Sequence, residues 1–133
     1  MPGRLANSDI ITLEAAEAIT ALQAVVINAD GKASLANGAS GQRVDGIAQR
    51  DASIGDVVEV VIFGRTKALA GTTLTAGSHS LVMVELTTAR LIPWSNAGGT
   101  EYSVARVIYN QNATQYADGD EIEVIFTGAS LAS

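Results

Sequence analysis

One short pattern occurs twice in this chain and limits what it can fold into. Gly55-Asp56-Val57-Val58-Glu59-Val60-Val61-Ile62-Phe63-Gly64 lines up with Gly119-Asp120-Glu121-Ile122-Glu123-Val124-Ile125-Phe126-Thr127-Gly128. Gly-Asp makes a turn, because Gly accepts positive φ and the Asp carboxylate bonds nearby backbone N–H groups. The residues that follow alternate, as a strand requires. In the second copy Ile122, Val124 and Phe126 face one way and Glu121, Glu123 and Thr127 the other. In the first copy Val57, Val61 and Phe63 make the second face apolar as well, apart from Glu59. That strand is therefore either central in the fold or part of a subunit contact. The asymmetry makes Val57, Val61 and Phe63 the candidate subunit-contact residues, and the Gly119–Gly128 strand the candidate solvent-facing wall.

The self-similarity extends upstream. Ile19-Thr20-Ala21 answers Leu74-Thr75-Ala76, and Gly46-Ile47-Ala48-Gln49-Arg50 answers Ser103-Val104-Ala105-Arg106. The expected pseudo-repeat covers 19–64 and 74–128, with extra residues around Asn110–Tyr116. Chance likeness between Val-rich strands is the alternative. Between these landmarks Ala24–Asn28 and Lys32–Ala36 flank Asp30-Gly31, a strong hairpin signal. Val44–Ala48, Leu81–Val84, Ala89–Ile92 and Val104–Tyr109 read as further strands. Arg65–Ala70 reads as a separate strand paired back on Val57–Phe63, with Gly64 ending the first. Short strands at regular spacing with Gly, Asn and Asp turns predict a mainly β, barrel- or sandwich-like domain. Glu14–Ile19 is rich in Ala and Glu and allows one helical turn. Residues 1–9 are polar and read as an extended arm before a single domain over 10–133; stretched out, nine residues span about 30 Å.

Composition narrows the function. The chain has 133 residues and no cysteine, so it fits one domain and excludes thiolate metal sites and thiol nucleophiles. Aromatics are only 5%, so the core is built from small aliphatic side chains. The net charge of −6, with eight scattered basic residues, repels phosphate and argues against direct nucleic-acid or anionic-membrane binding. No apolar signal segment or bilayer-length run occurs, which reads as a soluble protein made in the cytoplasm.

The search for chemistry returns little. His79 stands alone in a Gly-Ser-His-Ser turn with no nucleophile-elbow pattern beside it. Asp118-Gly119-Asp120-Glu121 lacks the spacing of a calcium loop and reads as a solvated turn. Glu59 and Glu123 could be set up as an acid–base pair, but equivalent places in a repeat explain them better as rim charges. No catalytic constellation, cofactor motif or metal set emerges. Trp94 reads as a plug for one end of the core, with an exposed binding anchor as the alternative. Tyr109 and Tyr116 flank a polar segment suited to protein contact, though a solvent loop is the default. Asn112-Ala113-Thr114 is a sequon in form only.

The ordered set Ile11–Ala16, Gln23–Val26, Asp30–Ala33, Gly46–Ala48, Gly55–Val60 and Phe63-Gly64 resembles the capsid-cement, or head-decoration, proteins of tailed bacteriophages. The resemblance covers roughly residues 10–77, and the repeat carries it to 128. It implies a non-enzymatic virion protein, without cofactors, on the outer capsid surface. Such a subunit binds the major capsid protein, commonly as a homotrimer, and bridges and stabilises neighbouring shell subunits. It also implies an N-terminal arm on the shell, which points to Pro2, Arg4 and Leu5 as candidate capsid contacts. The rival readings are a head-fibre base, a tail protein, or a glycan- or peptide-binding β-module.

Overall fold

The two Gly-Asp turns form the same local structure. Gly55 and Gly119 sit at φ +89° and +90°, a region where a Cβ is strained. The computed structural model describes residues 8–95, 101–109 and 115–130. Those residues form eleven strands: β1 (Ser8–Glu14), β2 (Ala24–Ile27), β3 (Ala33–Leu35), β4 (Gly46–Ala48), β5 (Val57–Leu69), β6 (Leu74–Thr75), β7 (Leu81–Val84), β8 (Leu91–Pro93), β9 (Ser103–Ile108), β10 (Gln115–Tyr116) and β11 (Glu121–Ser130). Among them there is no helix.

The helical turn expected over 14–19 is absent. Ala15 and Ile19 instead make isolated bridges to Ala33 and Ala52. Both side chains are buried, so tertiary packing overrides the helical preference of this short Ala/Glu segment. The strand expected from Ile10 begins earlier, at Ser8, so Ser8 and Asp9 belong to the sheet rather than to an arm. Residues 1–7, including Pro2, Arg4 and Leu5, lie outside the described residues.

The expected hairpin at Gly64 is also absent. β5 runs through it as one strand of 13 residues. Gly64, at φ +104°, is instead a junction that pairs with Ser8 of β1 and Phe126 of β11. Just before it the β1 register slips between Asp9 and Ile10, leaving Ile62 without a partner in β1. Such a bulge bends a strand and increases its twist.

β5 therefore closes one unit and opens the next. In the first unit β1 pairs with the early half of β5, with Leu13 opposite Val58 and Ile11 opposite Val60. In the second the late half of β5 pairs with β11, with Ala68 opposite Ile122 and Thr66 opposite Val124. The remaining pairings match too: β4–β2–β3 in the first unit, β9–β7–β8 in the second. Each unit curls back on itself through a parallel bridge, Ala15 to Ala33 and Ala70 to Leu91. The backbone bonds around these alanines coincide. Ala15 N–H donates to the Asp56 carbonyl (2.7 Å) and Ala70 N–H to that of Asp120 (2.9 Å). Gly55 and Gly119 N–H return bonds of 2.8 Å to the Ala15 and Ala70 carbonyls.

The core has two parts. Ala15, Ile19, Val25, Ala48, Val58 and Val60 form a smaller cluster within the first unit. The larger one joins Ile122, Val124, Phe126, Val82 and Leu91 of the second unit to Ala24, Ala36, Val44 and Ile47 of the first. β4 is buried on both faces, with Ile47 in one cluster and Ala48 in the other. Such interiors tolerate little change in volume.

Candidate functional site

The carboxylates and cations of this chain mostly serve its turns and sheet faces. Asp56 accepts the Ser53 N–H at 3.0 Å and Asp120 the Ala117 N–H at 2.8 Å. Asp51, Asp45 and Glu17 accept the N–H groups of Ala21, Ile27 and Leu35. Glu59 pairs with Arg50 at 2.7 Å and Glu123 with Arg65 at 2.8 Å, each within its own unit. The two glutamates do not converge on one point. Asp118 pairs with Arg90, and Glu121 lies 4.0 Å from Lys67. Among the described residues no three His, Asp or Glu side chains are placed to hold a metal.

His79 has a structural task. Its Nδ1 accepts the Thr75 N–H at 3.0 Å, and its own N–H donates to the Thr75 carbonyl at 2.9 Å. Gln23 does the same in the first unit, taking the Thr20 N–H on Oε1 at 2.8 Å. In the sequence His79 stands apart as the lone histidine; the repeat aligns its turn with that of Gln23, but the second turn is one residue longer, so register alone does not pair the two side chains.

Tyr109 and Tyr116 stack with ring centres 5.5 Å apart. The Tyr109 hydroxyl donates to the His79 carbonyl at 2.6 Å, and that of Tyr116 to the Ile108 carbonyl at 3.2 Å. Burial, and secondly Tyr116, push the Tyr109 phenol above its usual pKa. The pair ties β10 to the end of β9. Most of the segment between the two tyrosines, 110–114, lies outside the described residues, as does 96–100 after Trp94.

Trp94 is half-buried and belongs to neither core cluster, so it is no plug. Its indole N–H donates to the Glu101 carbonyl at 3.1 Å. With Pro93, Leu81 and Ser78–Ser80 it lines an open cleft of about 220 Å³. The His79 in its lining has Nδ1 engaged by the Thr75 N–H.

What remains is exposed apolar surface. The candidate contact residues separate: Val57 and Phe63 are 48% and 54% exposed, whereas Val61 is 2% exposed. Val61 lies between Ile10 and Ile47 in register and is covered within the chain. Ile10, opposite Val61 in β1, is 55% exposed. On the expected solvent wall, Ile125 stands out at 41% exposure among Glu121, Glu123 and Thr127. It sits in a row that crosses three strands and reaches Trp94 just past β8: Ile125 opposite Arg106, Arg106 opposite Leu81, and the Trp94 N–H bonded to the Leu81 carbonyl. The sequence reading missed this row, because its members are far apart in the chain and only strand register brings them together.

No protein-family model matches the chain, and no curated protein does either. Among solved structures, the chain is similar to the N base of the head fibre gp8.5 of bacteriophage phi29. The TM-score is 0.64 at 15% identity, over 94% of this chain and 98% of the other. At that identity the likeness is one of fold.

Proposed function

We propose that this chain is a non-enzymatic structural protein of a phage particle, seated on the outside of the head. The observation that carries the reading is the fold likeness to a head-fibre base, which spans nearly the whole of both chains. The described side chains agree with it. Their acidic groups cap turns or pair with cations, and the surface offers apolar strand faces rather than a reactive cleft.

Two finer roles share this reading. A cement protein bridges neighbouring major capsid subunits and stabilises the shell by binding only its assembled form. A fibre base binds the same shell and carries a further assembly outward. The near-complete match to a fibre base favours the second role as strongly as the ordered motifs favour the first. In both, the partner is the major capsid protein, and a homotrimer gains avidity from repeated contacts. The segment before β1, with Pro2, Arg4 and Leu5, is proposed as the first shell contact.

Cryo-electron microscopy of particles tests the reading. Density for this fold on the outer head surface is the expected result. Repeated density bridging capsid subunits identifies a cement protein, and a fibre rising from it identifies a base. Density confined to the tail overturns the head assignment.

A further inference from the structure

The two units are not related to each other symmetrically. The second unit covers a row of the first, and among the described residues nothing covers the equivalent row of the second unit. In the first unit Val61 is opposite Ile47, Ile47 is opposite Ala24, and the Ala36 N–H donates to the Ala24 carbonyl. In the second unit Ile125, Arg106, Leu81 and Trp94 occupy the same places, down to the Trp94 bond to the Leu81 carbonyl. All four first-unit residues are buried. None of the four second-unit residues is.

The cover over the first row is known in detail. Over Ile47, Ala24 and Ala36 it is the turn between β7 and β8, whose Val84 and Ala89 share their core cluster. The Ala89 carbonyl accepts the Ala24 N–H, and the Val84 carbonyl accepts the Gly41 N–H, both at 2.8 Å. The Thr88 carbonyl accepts the Gln23 amide at 2.8 Å. The first unit has a turn of the same kind between β2 and β3. Asn28 bonds the Lys32 carbonyl as Glu85 bonds that of Arg90. Gly31 and Ala89 both hold positive φ, +77° and +56°. Yet Ile27, Asp30 and Gly31 are exposed, whereas Val84 and Ala89 are buried. Thus one unit leaves its covering turn free and the other leaves its covered row free.

We infer that the Ile125–Arg106–Leu81–Trp94 row receives the β2–β3 turn of a second copy of this chain, head to tail, repeating the contact between the two units. The free row suits such an occupant. It replaces Val, Ile, Ala and Ala with larger Ile, Arg, Leu and Trp, the last lining the open cleft. Trp and Arg are the residue types that most often dominate such contacts. Arg106 has no ion pair among the described residues of a chain whose net charge is −6, and the incoming turn carries the exposed carboxylate of Asp30. A head-to-tail contact of this kind is heterologous, so it builds a ring where its rotation closes. The inference stands on internal correspondence and does not depend on where the protein sits in a particle.

Sedimentation and cross-linking of the full chain test it. The native chain is expected to associate with rising concentration, and Leu81→Glu to weaken that association by at least ~10-fold. Ile54→Glu, on an exposed turn away from the row, is expected to leave it unchanged. The chain has no cysteine, so Leu81→Cys and Asp30→Cys report the geometry directly with a short thiol cross-linker. A cross-linked pair from the mixture, and from neither variant alone, upholds the head-to-tail contact. Cross-linking of Leu81→Cys with itself overturns it. So does a native chain that stays monomeric up to about 1 mM, or association that Leu81→Glu leaves intact while circular dichroism shows the variant folded.

Discussion

Asp56 and Asp120 hold the same bond in the two units. Each carboxylate accepts the backbone N–H three residues before it, from Ser53 at 3.0 Å and Ala117 at 2.8 Å. A hydrogen bond to a charged group contributes about 1.5–3 kcal/mol where it is shielded, and less at an exposed turn. Asp56→Ala and Asp120→Ala are each expected to destabilise the fold by ~1 kcal/mol. The two sites belong to different units and share no bonding partner, so the double variant should lose about the sum. Chemical denaturation of the three variants measures it. A loss at one turn only would show that the correspondence is geometric without being energetic.

Gly46 shows where the fold has no room. A Cβ placed there would lie 2.2 Å from Val60 Cγ1 and 2.7 Å from the Val61 carbonyl oxygen. Both belong to β5, which β4 and β1 hold from either side. Overpacking of this kind costs about 1–3 kcal/mol, so Gly46→Ala is expected to lower the thermal midpoint clearly. At Gly31 a Cβ meets nothing within 4 Å, and only its φ of +77° resists substitution. Gly31→Ala should therefore cost about 1 kcal/mol. Equal losses at the two positions would mean that β4 can move away from β5.

His79 and Gln23 perform one task with different side chains, each accepting the N–H of a threonine that starts a turn. His79→Gln should therefore be nearly neutral, and His79→Ala should cost ~1 kcal/mol, the usual value of such a bond. Thermal unfolding of both variants at neutral pH compares them. A glutamine variant as unstable as the alanine variant would assign the histidine a role beyond the cap.

The alternating residues after each Gly-Asp turn made the β architecture legible in the sequence, because period-two patterning and turn chemistry act locally. The joining of Val57–Phe63 and Arg65–Leu69 was not legible. Glycine at Gly64 signals a strand end as readily as a bulged junction, and only the competing partners Ser8 and Phe126 decide between them. The Glu14–Ile19 segment misled for a similar reason. Its helical preference is weak, and the buried bridge from Ala15 to Ala33 is a distant pairing no local pattern contains. Val57, Val61 and Phe63 look alike in sequence but differ in exposure, since Val61 alone lies opposite buried Ile47. Ile125 aligns with Val61, yet it is 41% exposed, since among the described residues its row lacks the turn that lies over the first unit's row.

Tyr109 gives the fold a weakness at high pH. Its hydroxyl donates to the His79 carbonyl, and burial together with Tyr116 raises its pKa above the ordinary phenol value of about 10. A group whose pKa is raised on folding contributes stability that is complete below the unfolded value. That stability is lost as pH rises through the folded value, because the native state then binds the proton the unfolded chain has released. Ionisation also turns the donor into an acceptor facing a carbonyl oxygen. The native chain is therefore expected to lose stability above pH ~10. Tyr109→Phe, which cannot ionise, should start less stable at neutral pH and lose less over the same range. Denaturation curves at a series of alkaline pH values check this, with phenolate absorbance reporting the ionisation. Parallel losses in both proteins would place the alkaline sensitivity at another group.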